Sequence, residues 1–262
     1  MVSLVSLRNN CARRALIFGL AATLVLNIQS AWADACLFEP QGEGRVAEIV
    51  DARSLRLDDD REIRLLGIEP LPTAKQVLTA MLIGREVTLR GPDDTPDRYG
   101  RTPALVFPAG RETSVQSLLL AQGEALVSSE IADKDCAAAL LTAEAEAHQA
   151  RKGAWATSSV IKNAESDDIR EGIGHFMVVE GKVLSVRQVG ATTYLNFGRS
   201  WTRGFAATIP KRIAPTLERA GIILKSLENK RIRVRGWIEG AAGPRMEVLR
   251  VGQIEVLGAN ER

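Results

Sequence analysis

The chain has 262 residues, 45% of them hydrophobic and 25% charged, an ordinary balance for one large or two small folded domains. That composition excludes a wholly disordered chain. A formal charge of only +2 excludes a globally basic nucleic-acid binder, so any anion site must be a local patch.

Residues 1–33 read as an export signal. Arg8, Arg13 and Arg14 form a positive start, Ala15 to Ile28 an apolar run, and Ala31-Trp32-Ala33 supplies small residues around a cut. The run falls short of the ~20 apolar residues of a membrane span, although a retained anchor is the competing reading. Lipid attachment at Cys36 is weaker still, because Ala33-Asp34-Ala35 lacks the usual Leu three residues before the cysteine. Cleavage removes three arginines and no acid, which leaves the mature chain at −1. It also removes Cys11, leaving Cys36 and Cys136. Two cysteines in an exported chain suggest one disulfide, with two unpaired thiols as the alternative. Closing a loop of that length contributes roughly 4 to 5 kcal/mol in the chain-entropy model. The expected location is the periplasm or the medium, with no membrane attachment once the signal is gone. Nothing in the sequence sets an oligomeric state.

From Gly44 to Arg64 apolar residues alternate with polar ones, and Asp58-Asp59-Asp60 between two such runs reads as a hairpin turn. Thr73 to Ile83 predicts a helix ended by Gly84, Glu86 to Arg90 a strand, and Gly91 to Gly100 a polar loop. Thr102 to Phe107 predicts a strand, Ser114 to Gln122 a short helix stopped by Gly123, and Cys136 to Lys152 a helix with an apolar stripe. Many short strands with packed helices predict a small β-barrel. Residues 157–172 are polar and read as a linker, with room for a short helical turn. Beyond it, strands are expected at His175 to Val186, Thr193 to Phe197, Phe205 to Ile209, Arg231 to Ile238 and Met246 to Val256. One helix, Ile213 to Ala220, interrupts them. Five strands with one inserted helix fit an OB-type barrel. The fold expected is mainly β with helices (α+β), divided into a signal (1–33), a first domain (34–156), a linker (157–172) and a second barrel (173–258).

Four stretches of the first domain carry a resemblance. They are Ile63-Arg64-Leu65-Leu66-Gly67-Ile68, Asp97-Arg98-Tyr99-Gly100-Arg101, Leu118 to Ala125, and Glu144 followed by Lys152-Gly153-Ala154-Trp155. In this order and spacing they resemble the thermonuclease (staphylococcal-nuclease-like) family, over less than half the chain. The resemblance implies an OB-type barrel and a Ca²⁺-dependent phosphodiesterase acting on DNA and RNA. Such chemistry needs a cation on the phosphate, a carboxylate to activate water, and arginines for the charge that develops on phosphorus.

The resemblance then allows each role to be checked by position. Arg64 and Arg101 match the family's two phosphate-contacting arginines, whose planar forks suit two phosphate oxygens. Arg98 and Tyr99 flank the second of them as candidate ligand contacts. The first metal-binding aspartate is replaced: the stretch is Asp51-Ala52-Arg53-Ser54, and a cation cannot ligate a cation. Glu69 keeps a carboxylate at the second ligand position, and Pro72 stands where the family has its water-activating glutamate. Calcium takes ~6–8 oxygens, so this is a poor cage, and Arg53 at about 4 Å opposes binding by several kcal/mol. Asp51, Asp93 and Asp94 would be needed for a shifted site, but such residues are usually solvated turns. The family's aromatic base platform is also missing, with Ser129 and Ile131 in its place. Arg53 then has two readings: a third arginine in an anion pocket, or a partner of Glu69 that closes a dead site.

In the second domain, Thr193 to Trp201, Val234-Arg235-Gly236-Trp237 and Gly243-Pro244-Arg245 resemble the OB-type domain appended to exported proteins of this kind. Tyr194, Phe197, Trp201 and Trp237, with Arg199, Arg203, Arg233 and Arg235, could line a groove for single strands, or else pack as core. His148 and His175 fit neither a metal nor a triad pattern. The function expected is an exported pseudoenzyme with a degenerate metal site. It binds single-stranded nucleic acid or another anion through Arg64, Arg101 and Arg53, and no cofactor is expected. One alternative is an active Ca²⁺-dependent endonuclease using Glu69. Another is a periplasmic interaction scaffold.

Overall fold

The computed structural model describes residue 36 and residues 38–93, 95–200, 203–240 and 242–258. The expected signal, Asp94 and Trp201 lie outside the described residues. No helix among those described is long and apolar enough to cross a membrane.

The first half begins with β1 (Glu39–Ile49), β2 (Ser54–Leu57) and β3 (Glu62–Leu65). The turn expected at 58–60 joins the last two, with Asp60 in the left-handed region at φ 68°, which a short polar side chain tolerates. A short strand β4 (Ile68–Pro70) leads into α1 (Ala74–Leu82), and β5 (Glu86–Gly91) and β6 (Thr102–Pro108) follow. These close a five-stranded barrel in the order β1-β2-β3-β6-β5, with the β3–β6 pair parallel. Alternation drives the closure: Leu55, Leu57, Ile63, Leu65, Val87 and Leu89 all turn inward and are buried.

Helix α2 (Val115–Gln122) starts where the Ser114 hydroxyl accepts the Ser117 N–H at 3.2 Å, and stops at Gly123. Only glycine fits at 123. Its φ is 73°, and a Cβ there would lie 2.2 Å from the Lys152 carbonyl oxygen. A three-residue strand β7 (Ala125–Val127) pairs with β4. Helix α3 (Lys134–Gln149) starts two residues earlier than its apolar stripe suggests, because the Asp133 carboxylate caps it by accepting the Cys136 N–H at 2.7 Å. It ends earlier too, with Arg151 at φ 51° ahead of Gly153. Cys36 and Cys136 form the expected disulfide, which joins residues 100 apart in sequence.

Residues 157–172 contain β8 (Ile161–Asn163) and α4 (Asp168–Glu171), and Ala164 and Ile169 enter the second core. The second half continues with β9 (Phe176–Lys182), β10 (Ser185–Val189), β11 (Thr192–Asn196), β12 (Ala206–Pro210), α5 (Ala214–Arg219), β13 (Arg231–Gly240), β14 (Pro244–Glu247) and β15 (Ile254–Val256). Two expected strands are therefore divided. Val183 and Leu184 interrupt the first, separating β9 from β10. In the second, the Gln253 side chain accepts the N–H groups of Leu249 and Arg250 and pulls the chain into a 3₁₀ turn before β15.

The sheet order is β10-β11-β12-β14-β13-β9-β8, with β12 and β14 parallel. Both halves share one connectivity: three antiparallel strands, a helix, then two strands, the last running parallel to the third. In the first half β1 bonds to both β2 and β5, which closes the barrel. In the second that role is divided between β10 and β9, the two consecutive strands that pair with β11 and β13.

The halves form one compact unit. Leu126, Ala147 and Trp155 of the first pack on Val178 of the second. Among them lies Arg235 of β13, fully buried, whose Nη1 donates to both Glu144 oxygens at 3.0 and 2.7 Å. Its Nη2 bonds to Glu255. Glu144 also accepts the Val127 N–H at 2.8 Å. Burial alone would drive the Arg235 guanidinium toward neutrality, but Glu144 and Glu255 outweigh it and hold the group more firmly charged than usual.

Candidate nucleic-acid interface

The stretch in which Arg53 replaces a metal-binding aspartate is a turn at the start of β2. The Asp51 Oδ1 accepts the N–H groups of Arg53 and Ser54 at 2.7 and 2.6 Å. One oxygen of its carboxylate is thereby engaged by the backbone turn. The turn carries Arg53 toward β4, where its guanidinium forms an ion pair with Glu69. Both side chains are about three-quarters buried, at 24% exposure each.

Arg64 and Ser54 face each other across the β2–β3 ladder. Arg64 Nη1 reaches both oxygens of Glu130 at 2.9 Å, and its Nε lies 3.7 Å from Asp97. Arg101 forks onto the same Asp97, with Nε at 3.1 Å and Nη2 at 2.9 Å, and Nη1 lies 3.4 Å from the Ser54 hydroxyl. Asp97 Oδ1 in turn accepts the N–H groups of Tyr99 and Arg101. Burial works against the Asp97 carboxylate, but the Arg101 guanidinium and these two N–H groups prevail and hold it below its ordinary range. Tyr99 is 66% exposed, with Arg98 and Arg101 guanidinium groups 4.7 and 5.1 Å from its ring centre. Arg98 is exposed and pairs with no carboxylate among the described residues.

Ser54 and Asp97 thus draw Arg64 and Arg101 together, beside the Arg53–Glu69 pair. Asp97 and Glu130 were not singled out by sequence reasoning. Asp97 carried a local signal, since it precedes Arg101 by four residues in an Asp/Tyr/Arg loop. Glu130 carried none, being 66 residues from its partner. Of the missing aromatic positions, Ile131 is core and Ser129 lines a cleft of about 480 Å³ that Arg64 and Glu130 share with Trp237, Glu239 and Arg250 of the second half. Trp237 is 50% exposed there.

The donor set does not fit calcium. Glu69 is held by a cation, Asp51 by its turn, and Asp93 by the Thr95 N–H at 2.8 Å. Among the described residues no three His, Cys, Asp or Glu side chains gather as a metal site. His148 is exposed and stacks on Trp155 at 4.7 Å, and His175 is exposed.

The second half's aromatic and arginine residues divide between the two readings, groove and core. Phe197 is core, Arg235 is buried, and Arg233 pairs with Glu180 at 3.0 Å. Tyr194 lies under Arg245, whose guanidinium is 5.0 Å from the ring centre.

Residues 71–157 match a family model described as staphylococcal nuclease homologue. The match takes in α1 to α3 and the Asp97–Arg101 loop, and begins after Arg53, Arg64 and Glu69. The first half is thus a thermonuclease-like domain, its closed five-stranded barrel in keeping with an OB-type fold. No curated protein matches the chain.

Proposed function

We propose that this is an exported, non-cleaving thermonuclease-like protein that binds single-stranded nucleic acid or a similar phosphate-bearing polyanion. The observation that carries the reading is the Arg53–Glu69 ion pair, which fills the place of a cation with a guanidinium and takes up the nearest carboxylate. With no general base at Pro72 and no oxygen cage, the residues offer no route to an activated water. The charge-stabilising half of the chemistry remains. Arg64 and Arg101 both approach Asp97, and Arg98 and Tyr99 are exposed on the same loop. A phosphate there would meet Arg98 directly and would share Arg101 with Asp97. An export reading is supported by the Cys36–Cys136 disulfide, a bond that persists in oxidising compartments.

Cleavage of denatured DNA by the purified mature chain, with Ca²⁺ and with chelator, tests this proposal. The unmodified protein should show no Ca²⁺-dependent hydrolysis. An Arg53→Asp/Pro70→Thr/Pro72→Glu variant should gain it. Robust Ca²⁺-dependent cleavage by the unmodified chain would overturn the reading.

A further inference from the structure

Arg53, Arg64 and Arg101 of the first half each pair with a carboxylate of the same chain. A hollow lies in the second half, between α4 and the loop joining β11 to β12. It encloses about 500 Å³ and is bordered by Arg170, Arg199 and Arg203. Two carboxylates, Glu165 and Asp167, share its rim, so cations outnumber acids by one. Among the described residues, none of the three guanidinium groups pairs with a carboxylate; that of Arg170 donates to the Arg203 carbonyl oxygen at 3.3 Å.

The loop is built tightly at its base. Gly198 and Gly204 face each other so closely that a Cβ on either would lie 3.0 Å from the Cα of the other. The Gly204 N–H donates to the Ser200 carbonyl oxygen at 2.7 Å. Arg199 and Arg203 therefore leave a pinched base one residue inside each glycine, and Arg170 ties α4 to the same loop. The floor is apolar, with the Phe197 and Phe205 rings 5.2 Å apart. Unpaired arginines around a concave, partly apolar hollow are the features that recognise a phosphate group joined to an organic body.

We propose that Arg170, Arg199 and Arg203 form a phosphate-binding site for one nucleotide unit of a single strand, separate from the thermonuclease-like site. The inference rests on the polyanion reading for the identity of the strand, and on the loop itself for the site.

The test measures binding of a labelled oligo-dT, and separately of inorganic phosphate, to the full mature chain and two variants. One is Arg199→Ala/Arg203→Ala and the other Arg98→Ala/Arg101→Ala. Retained thermal unfolding checks that each is folded, and Arg199→Lys/Arg203→Lys tests for partial rescue. The loop variant should bind the oligonucleotide about tenfold or more weakly, as expected for two lost charge-assisted contacts. Its log–log salt slope should shrink by about 0.7, the value for one phosphate of a single strand. Unchanged affinity in the loop variant with weakened binding in the other would overturn this site and leave the wider reading standing. Phosphate binding that depends on Arg199 and Arg203, without oligonucleotide binding, would uphold the site and overturn the polynucleotide reading. Binding of neither probe by the unmodified chain would overturn both.

Discussion

In the first barrel Arg53, Arg64 and Arg101 each rest against a carboxylate: Glu69, then Glu130 with Asp97, then Asp97 again. On the loop side of the second sheet, Arg170, Arg199 and Arg203 stand around a hollow without such partners among the described residues. Both regions are rich in arginine, but only the second leaves its cations mainly to the solvent. An anion at the first site meets Arg98 directly but must share Arg64 and Arg101 with internal acids. An anion at the second loses only water. The local count of paired and unpaired charges therefore says more about ligand preference than the number of arginines does.

The comparison can be pressed hardest at Arg235, which is fully buried between two carboxylates. Arg235→Met leaves Glu144 buried without its cation and should cost about 3 to 5 kcal/mol in urea unfolding. A loss below ~1 kcal/mol would show that the cross-link between the halves contributes little. Acid should come next. The carboxyls of Asp97 and Glu180 are held below their ordinary values of 3.8 and 4.5. For Glu180 burial opposes, and Arg231 and Arg233 outweigh it. The unfolded chain thus binds more protons than the folded one in this window. The stability these groups give is complete above their ordinary values and drains away as pH falls through the lowered ones. Unfolding midpoints taken from pH 6 to pH 2 should show the decline, and Asp97→Asn should flatten part of it.

Smaller effects sharpen the contrast between the two sites. Glu130→Gln releases Arg64 from a partly exposed pair, so oligonucleotide affinity of the first site should rise about two- to fivefold. No gain would mean that Glu130 does not restrain it. Arg199→Ala should change stability by less than ~0.5 kcal/mol, the range of an exposed side chain away from any buried feature. A larger loss on thermal melting would reveal that the arginine holds the loop together.

How much of this could be read in advance depended on how local each signal was. The limits of α1 followed from Pro70, Pro72 and Gly84, those of α2 from Ser114 and Gly123, and the first hairpin from Asp58-Asp59-Asp60, because breakers, caps and turns act over three or four residues. The disulfide followed from there being two cysteines left to pair. The limits of α3 were displaced because Asp133, a polar residue outside the apolar stripe, decides where the helix begins. Ion-pair partners were mostly illegible. Arg64 and Glu130 are 66 residues apart and Arg235 and Glu144 91 apart, and no sequence pattern joins them. Whether Arg233 and Arg235 line a groove or pack inward stayed open for the same reason. Alternation puts them on one face of a strand but does not say that the face is turned toward Glu180, Glu144 and Glu255. Arg53 was the exception. Its two readings could both be written from position, and the structure places Arg53 against Glu69.

The disulfide also alters what a cut in the chain would do. Cys36 and Cys136 bracket every strand of the first barrel, so both new ends produced by a protease in the exposed loop at residues 92–100 would stay inside one covalent ring. The nicked molecule would keep the mass of the intact one, apart from one added water, until a reductant was supplied. Damage in that loop would therefore be invisible on a non-reducing gel and would appear as two fragments on a reducing one.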